Sequence, residues 1–227
     1  MSDRILVVED EDRIRNIVRD YLTAHGLDCD LARDGEEALD LLRDHDYDAI
    51  LLDVLMPNLD GFSVCRAVRA KSRVPILFLT ALGSEEDVLQ GYALGADDYV
   101  TKPFSPAELT ARVDALYRRT GGDVEMDAGE ISQPPFLLNT RNRTLEKNGA
   151  RVKLTQVEYS IMKLFMDNPG KALSREEILD AVWGRDYFGE LKIVDVNIRR
   201  LRIKIEDDPT NPSYITTVWG YGYKWGF

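Results

Sequence analysis

Four short apolar runs in the first half of the chain lead straight into residues that could do chemistry. Arg4-Ile5-Leu6-Val7-Val8 runs into Glu9 and Asp10, Ala49-Ile50-Leu51-Leu52 into Asp53, Ile76-Leu77-Phe78-Leu79 into Thr80, and Tyr99-Val100-Thr101 into Lys102. Apolar runs of this length suit strands buried on both faces, and open α/β sheets place their ligand crevices at the carboxyl ends of such strands. Three carboxylates, a hydroxyl and an ammonium would then meet on one rim. Three acids so close repel one another, which raises their pKa values unless a cation sits among them. An all-oxygen set that leaves room for water suits Mg²⁺. The chemistry it points to is phosphoryl transfer onto a carboxylate, with metal, lysine and hydroxyl neutralising the transferred oxygens. Alone, Asp53 reads as a strand-end cap, and a single Thr or Lys as a surface residue. Their convergence at separate strand ends changes that reading.

The elements that must position them follow in order. Ile14, Ile17, Val18, Tyr21 and Leu22 recur at helical spacing before Gly26, and Asp28 to Ala32 is a short strand. A helix is predicted over Glu36 to His45, the central strand over 48–53, and a helix over Phe62 to Lys71. Strand 75–80, a helix from Ser84 to Gly95, strand 98–101 and a helix opening at Ser105-Pro106 complete the half. Five strands alternating with five helices give a doubly wound α/β fold with a five-stranded parallel sheet. No phosphate-cradling Gly-x-x-x-x-Gly-Lys loop is present. His25 and His45 sit near helix ends, away from the acidic rim.

Residues 3–119 resemble two-component response regulators. The match is carried by Ile5-Leu6-Val7-Val8-Glu9-Asp10-Glu11, Leu52-Asp53-Val54-Leu55-Met56-Pro57, Leu79-Thr80-Ala81, and Gly95-Ala96-Asp97-Asp98-Tyr99-Val100-Thr101-Lys102-Pro103-Phe104. The resemblance implies a flavodoxin-like receiver in which Asp53 accepts a phosphoryl group from a sensor histidine kinase. It implies that Glu9, Asp10, Asp53 and the backbone carbonyl of Leu55 hold Mg²⁺. Lys102, whose bond to Pro103 is often cis in similar proteins, would contact the phosphoryl group. Thr80 and Tyr99 would be a switch pair, Thr80 moving toward that group and Tyr99 swinging inward. Relatives dimerise on phosphorylation through paired charges, which Asp97, Asp98, Glu108, Arg112 and Arg119 match. Val88 and Asp114 depart from that pattern. Leu55 and Leu82 offer no polar group to orient an attacking water, so a long-lived aspartyl phosphate is expected.

The totals fit this reading. A chain of 227 residues, 44% hydrophobic and 30% charged, suits two soluble domains. No apolar run is long enough to span a bilayer, so a cytoplasmic location and no membrane partner are expected. Cys29 and Cys65 lack metal-ligand spacing and read as reduced packing residues. The net charge of −11 argues against a nucleic-acid partner, but its distribution does not: residues 1–120 carry −10 and residues 121–227 only −1. The domain expectation is a receiver over 1–119, a linker at 120–123, and a second domain over 124–227.

In that second half, residues 124–153 are strand-rich, with turns at Gln133-Pro134-Pro135, Thr140-Arg141-Asn142 and Asn148-Gly149. Thr155 with Glu158, and Ser174 with Glu177, are capping boxes that each open a helix. A third helix, from Leu191 to Glu206, turns Val194, Ile198, Leu201 and Ile205 to the core. Its remaining faces show Lys192, Asn197, Arg199, Arg200, Arg202 and Lys204. A hairpin over Thr216 to Tyr223 follows, which describes an α+β winged helix-turn-helix with its third helix in the major groove of double-stranded DNA.

Residues 124–225 resemble the DNA-binding domain of the OmpR/PhoB family. Leu154-Thr155, Glu158, Val182-Trp183-Gly184, Val194-Asp195-Val196-Asn197-Ile198-Arg199-Arg200-Leu201-Arg202 and Gly220-Tyr221-Gly222-Tyr223 carry the match. It implies base contacts from Arg200 with Asn197, and phosphate contacts from Arg199, Arg202 and Lys204. Thr217 and Trp219 would be the wing's contribution. Trp219 stands where relatives often carry Arg, so it packs or stacks instead. A direct-repeat operator and RNA polymerase are the further expected partners. The function read from the whole chain is a phosphorylation-switched transcription factor, not an enzyme beyond accepting and slowly losing a phosphoryl group. The alternative is a phosphorylation-independent DNA-binding regulator whose receiver is a constitutive dimerisation scaffold. A small-molecule phosphohydrolase lacks a recognisable substrate pocket or general base.

Overall fold

The computed structural model describes residues 4–81, 91, 93–120, 129–185, 187 and 190–226, leaving aside the side chains of 117–120. The chain divides into two compact units, Met1–Tyr117 and Arg118–Phe227. No helix among the described residues is long and apolar enough to cross a membrane.

The first unit runs β1 (Arg4–Val8), α1 (Asp12–Ala24), β2 (Asp28–Ala32), α2 (Gly35–Asp44), β3 (Ala49–Asp53), α3 (Gly61–Lys71), β4 (Ile76–Thr80), β5 (Asp98–Thr101) and α4 (Pro106–Thr120). Its strands form one parallel sheet in the order β2-β1-β3-β4-β5. Every residue of β3 and β4 is buried, as both-face coverage by helices requires. On one face Ile5, Val7, Leu51, Leu77, Leu79 and Val100 pack against Val18 and Leu22 of α1 and Leu109, Val113 and Leu116 of α4. Each such side chain stabilises the fold by about 1.5–3 kcal/mol relative to exposure. The helix expected over 84–95 lies outside the described residues except at positions 91 and 93–95, as do Leu82 and Val88.

Two local devices set the loops beside the strand ends. The Asp60 carboxylate caps α3 by accepting the Ser63 N–H at 2.7 Å. At Gly61 a Cβ would lie 2.0 Å from the carbonyl oxygen of Asp53, so only glycine lets α3 start this close to the end of β3.

The second unit begins with a four-stranded antiparallel sheet, β6 (Glu130–Gln133), β7 (Phe136–Asn139), β8 (Thr144–Lys147) and β9 (Ala150–Val152). Then come α5 (Gln156–Asp167), β10 (Ala172–Ser174), α6 (Arg175–Trp183), α7 (Lys192–Ile205), β11 (Ile215–Val218) and β12 (Gly222–Trp225). Both expected capping boxes form, Thr155 with Glu158 and Ser174 with Glu177. Val194, Ile198, Leu201 and Ile205 of α7 are buried as their spacing predicts. β10 adds a third strand to the hairpin by pairing with β12 from Ala172↔Lys224 to Ser174↔Gly222. Three residues are too few for strand alternation to announce itself in the sequence.

Candidate acidic site and nucleic-acid interface

Because all five strands of the first sheet are parallel, their polar ends share one rim. Glu9 follows β1, Asp53 ends β3, Thr80 ends β4, and Lys102 follows β5. Glu9 and Asp53 are buried and Asp10 is exposed, and one oxygen from each of the three lies within 4.8 Å of the others. The Lys102 ammonium stands between two of them, its Nζ 2.6 Å from Glu9 Oε2 and 2.7 Å from Asp53 Oδ2. The other Asp53 oxygen accepts the Leu55 N–H at 3.1 Å, which holds the main chain of Leu55 beside the carboxylate.

The charges in this pocket strain against one another. Burial pushes the Glu9 carboxyl up to about 7, the Lys102 hydrogen bond pulls it down, and the Asp53 charge adds to the rise. Burial alone would lower the Lys102 ammonium, but its hydrogen bonds to Asp53 and Glu9 outweigh that and raise it. One ammonium thus serves two buried carboxylates, with a third at the pocket mouth. That excess of negative charge, presented entirely by oxygen atoms, fits a hard divalent cation.

Thr80 is fully buried, and Lys102 donates its backbone N–H to the Thr80 carbonyl at 2.7 Å. The Tyr99 ring is buried and lies edge-on to Phe78, centroids 6.2 Å apart, which is an inward placement. The Lys102–Pro103 bond is cis.

Three of the charges expected to pair across a dimer, Asp97, Asp98 and Arg112, are buried in pairs within the unit. Asp97 is fully buried and accepts hydrogen bonds from Arg69 Nη2 at 2.7 Å and from the Ile76 N–H at 2.9 Å. Asp98, also fully buried, takes Arg112 Nη1 at 3.0 Å, and Arg112 Nη2 reaches Glu108 within the same helix at 3.1 Å. Asp97, Asp98 and Arg112 therefore serve the chain's own fold here. Glu108 keeps partial exposure, and the Arg119 side chain lies outside the described residues.

On α7, the helix expected to enter DNA, two residues expected to contact bases are buried. Asn197 is fully buried, donating from Nδ2 to the Ile193 carbonyl and accepting from Arg200. Arg200 is buried as well, with Nη2 3.3 Å from Oε1 of the fully buried Glu158 on α5. Lys204 Nζ takes the other oxygen of Glu158 at 2.5 Å. The residues expected to read bases are tied into the unit's interior, because a buried carboxylate needs cations and α7 supplies them. Arg202 is occupied too: its guanidinium donates to the Ile215 carbonyl and to Thr217 Oγ1, and lies 5.3 Å over the Tyr223 ring. Thr217 is therefore engaged within the wing. The exposed positions of α7 are Lys192, Arg199, Ile203, Lys204 and, at the helix start, Leu191, with Val196 half-buried among them. Sequence spacing hides this face, since 197 and 200 flank the apolar stripe and read equally well as outward. Trp219 does not pack; it is 91% exposed.

Comparison with known proteins meets this geometry at both ends of the chain. Residues 5–114 match the response regulator receiver domain family, and residues 149–225 match the family described as transcriptional regulatory protein, C terminal. Among solved structures, the chain is similar to the response regulator DrrB, a Thermotoga maritima OmpR/PhoB homologue, at 32% identity over 100% of both chains with a TM-score of 0.54. It is similar to a mutant of RitR at 28% identity over 99% of both chains with a TM-score of 0.77. It also matches the receiver domain of the Francisella response regulator 1452 at 40% identity, over 52% of this chain and 99% of that one, with a TM-score of 0.51. A receiver built around an acidic rim and joined to a transcription-regulatory DNA-binding domain places the chain in the OmpR/PhoB family of two-component response regulators.

Proposed function

We propose that this response regulator is switched by phosphorylation of Asp53. The observation that carries the reading is the Lys102 ammonium held 2.7 Å from Asp53 and 2.6 Å from Glu9, at a rim where three carboxylates converge. In the transfer, an Asp53 carboxylate oxygen attacks the phosphorus of a sensor kinase's phosphohistidine. An O–P bond forms, the N–P bond breaks, and its electron pair returns to the imidazole nitrogen. Glu9, Asp10, Asp53 and the Leu55 carbonyl would hold Mg²⁺, which when bound neutralises charge on the phosphoryl oxygens.

The chain's own residues do the rest. Lys102 is positioned to exchange a carboxylate contact for a phosphoryl oxygen, which stabilises the charge that develops there. The Leu55 N–H orients the nucleophile. Thr80 would turn its hydroxyl toward the new anion, and the Tyr99 ring, already inward beside Phe78, would be held there against the space it leaves. That rearrangement would act on the segment from Asp97 to Arg119 and promote a homodimer. Within it Arg112, shared between Asp98 and Glu108, is the charge able to change partners. The second unit binds double-stranded DNA through α7 and the wing, as a dimer on a direct-repeat operator, and works there with RNA polymerase. The only covalent chemistry is accepting and slowly losing the phosphoryl group.

The test is intact-protein mass after incubation with Mg²⁺ and a small phosphodonor. Gain of one phosphoryl group by the wild type, and none by Asp53→Ala, supports the reading. No gain by the wild type returns the receiver to a constitutive dimerisation scaffold.

A further inference from the structure

Trp219 is the most exposed large apolar side chain among the described residues, at 91%, and it sits in the turn 219–221 between β11 and β12. An indole is a large apolar payload that normally earns its place by being covered. The turn presenting it is firmly built. Tyr221 donates its backbone N–H to the Val218 carbonyl at 3.0 Å, and Gly220 takes the left-handed φ of +72° that the turn requires. The Tyr221 hydroxyl donates to Glu177 at 3.2 Å. A Cβ at Gly222 would lie 2.0 Å from the Leu173 carbonyl, so the base of the wing is pressed against β10.

The other end of β11 is fastened to the recognition helix. Arg202 and Glu206, one turn apart, hold both backbone groups of Ile215. Arg202 donates to its carbonyl at 2.9 and 2.7 Å, and Glu206 Oε1 accepts its N–H at 2.8 Å. Glu206 also accepts the N–H groups of Ser213 and Tyr214, and Arg202 reaches Thr217 Oγ1 at 3.0 Å. The strand that leads to the indole is therefore fastened to α7, the helix that carries the exposed Arg199. From Thr216 to Tyr221 the wing carries no Lys or Arg, so its tip has no charge with which to grip phosphates.

We propose that Trp219 enters the minor groove beside the bases read by α7 and lies against one base step as an apolar wedge, with Arg202 and Glu206 as the positioning residues that decide which step it reaches. This rests on the reading of α7 as the DNA-binding helix. A minor groove about 6 Å wide admits an indole edge, and apolar side chains inserted there unstack a step and kink the duplex. Unstacking is easiest at pyrimidine–purine steps. Trp219 thus selects a flexible step by its deformability, without a hydrogen bond to any base.

The experiment uses the full chain on a DNA site selected from a random pool, with 2-aminopurine placed at each flanking step in turn. Wild-type protein should brighten the probe at one step and bend the DNA. Trp219→Ala should lose about 10-fold in affinity, a stacking contact's worth, together with the bend and the step preference. Its salt dependence and its preference at the bases under α7 should be unchanged. Arg202→Met should blur the position of the bright step and leave the salt dependence unchanged. A salt slope lower by about 0.9 in Arg202→Met would mark a phosphate contact and overturn the positioning role. Trp219→Ala binding and bending DNA like the wild type would overturn the wedge and hand the indole to a protein partner. Wild-type protein that selects no DNA at all would overturn the reading of α7 itself, a separate failure.

Discussion

Replacing Arg200 by alanine should unfold the second unit at lower temperature without removing a DNA contact, and replacing its neighbour Arg199 should do the reverse. Arg200 Nη2 lies 3.3 Å from Glu158 Oε1, in a pair whose side chains are 9% and 0% exposed. That oxygen is buried with no hydrogen-bond partner even with Arg200 in place, so removing the guanidinium takes away the charge that compensates it. Lys204 still holds the second oxygen at 2.5 Å, so the cost falls below the about 3–5 kcal/mol of a buried pair broken outright. It should be nearer the about 1–3 kcal/mol of an orphaned buried acceptor. Taking about 2 kcal/mol, the transition should fall by about 10 °C. All three tryptophans, Trp183, Trp219 and Trp225, belong to the second unit, so tryptophan fluorescence of the full chain reports that unit's melting selectively. Arg199 is exposed, and Arg199→Ala should melt within about 0.5 kcal/mol of the wild type. On DNA, below the melting range, Arg199→Ala should lower the slope of log affinity against log salt by about 0.9, and Arg200→Ala should leave it alone. A stable Arg200→Ala protein with a reduced salt slope would refute the assignment of Arg200 to the interior.

Three further outcomes follow from the receiver. Lys102→Ala removes the ammonium that serves both Glu9 and Asp53, and the rate of phosphoryl acceptance from a small donor should fall about 100-fold; an unchanged rate would remove Lys102 from the transfer. Gly61→Ala places a Cβ 2.0 Å from the Asp53 carbonyl oxygen, so urea unfolding of the receiver should show a loss of about 3 kcal/mol, and a wild-type midpoint would contradict the close approach. The aspartyl phosphate should outlast seconds at room temperature by a wide margin, because Leu55, 51% exposed beside the acid, offers water no polar partner. Leu55→Asn should shorten that lifetime, measured by loss of the phosphorylated mass.

The acidic rim was legible because apolar runs that end in Glu9, Asp53, Thr80 and Lys102 can mean only a few things once the strands are parallel. Parallel strands all end on one side, so order along the chain becomes proximity in space. The helix starts were legible through Thr155-Glu158 and Ser174-Glu177, since capping boxes are local. Interior polar pairing was not legible, because it depends on how elements pack. Glu158 announces itself as a cap, and nothing nearby says that its carboxylate will also be buried against α7 and need Arg200 and Lys204. Asp97 and Asp98 read as surface charges for the same reason: Arg69 and Arg112, which cover them, come from other elements. The signal that could have found these pairs is an acid on or next to an apolar stripe with no local cation.

The central claim is that the charge state of Asp53 governs how firmly the chain holds DNA. The most direct measurement is affinity for a selected DNA site with and without phosphodonor and Mg²⁺, in wild type and Asp53→Ala at fixed salt. Phosphodonor should tighten wild-type binding and leave Asp53→Ala unchanged. Equal affinity for wild type in both conditions, with phosphorylation of Asp53 verified by mass, would contradict the switch.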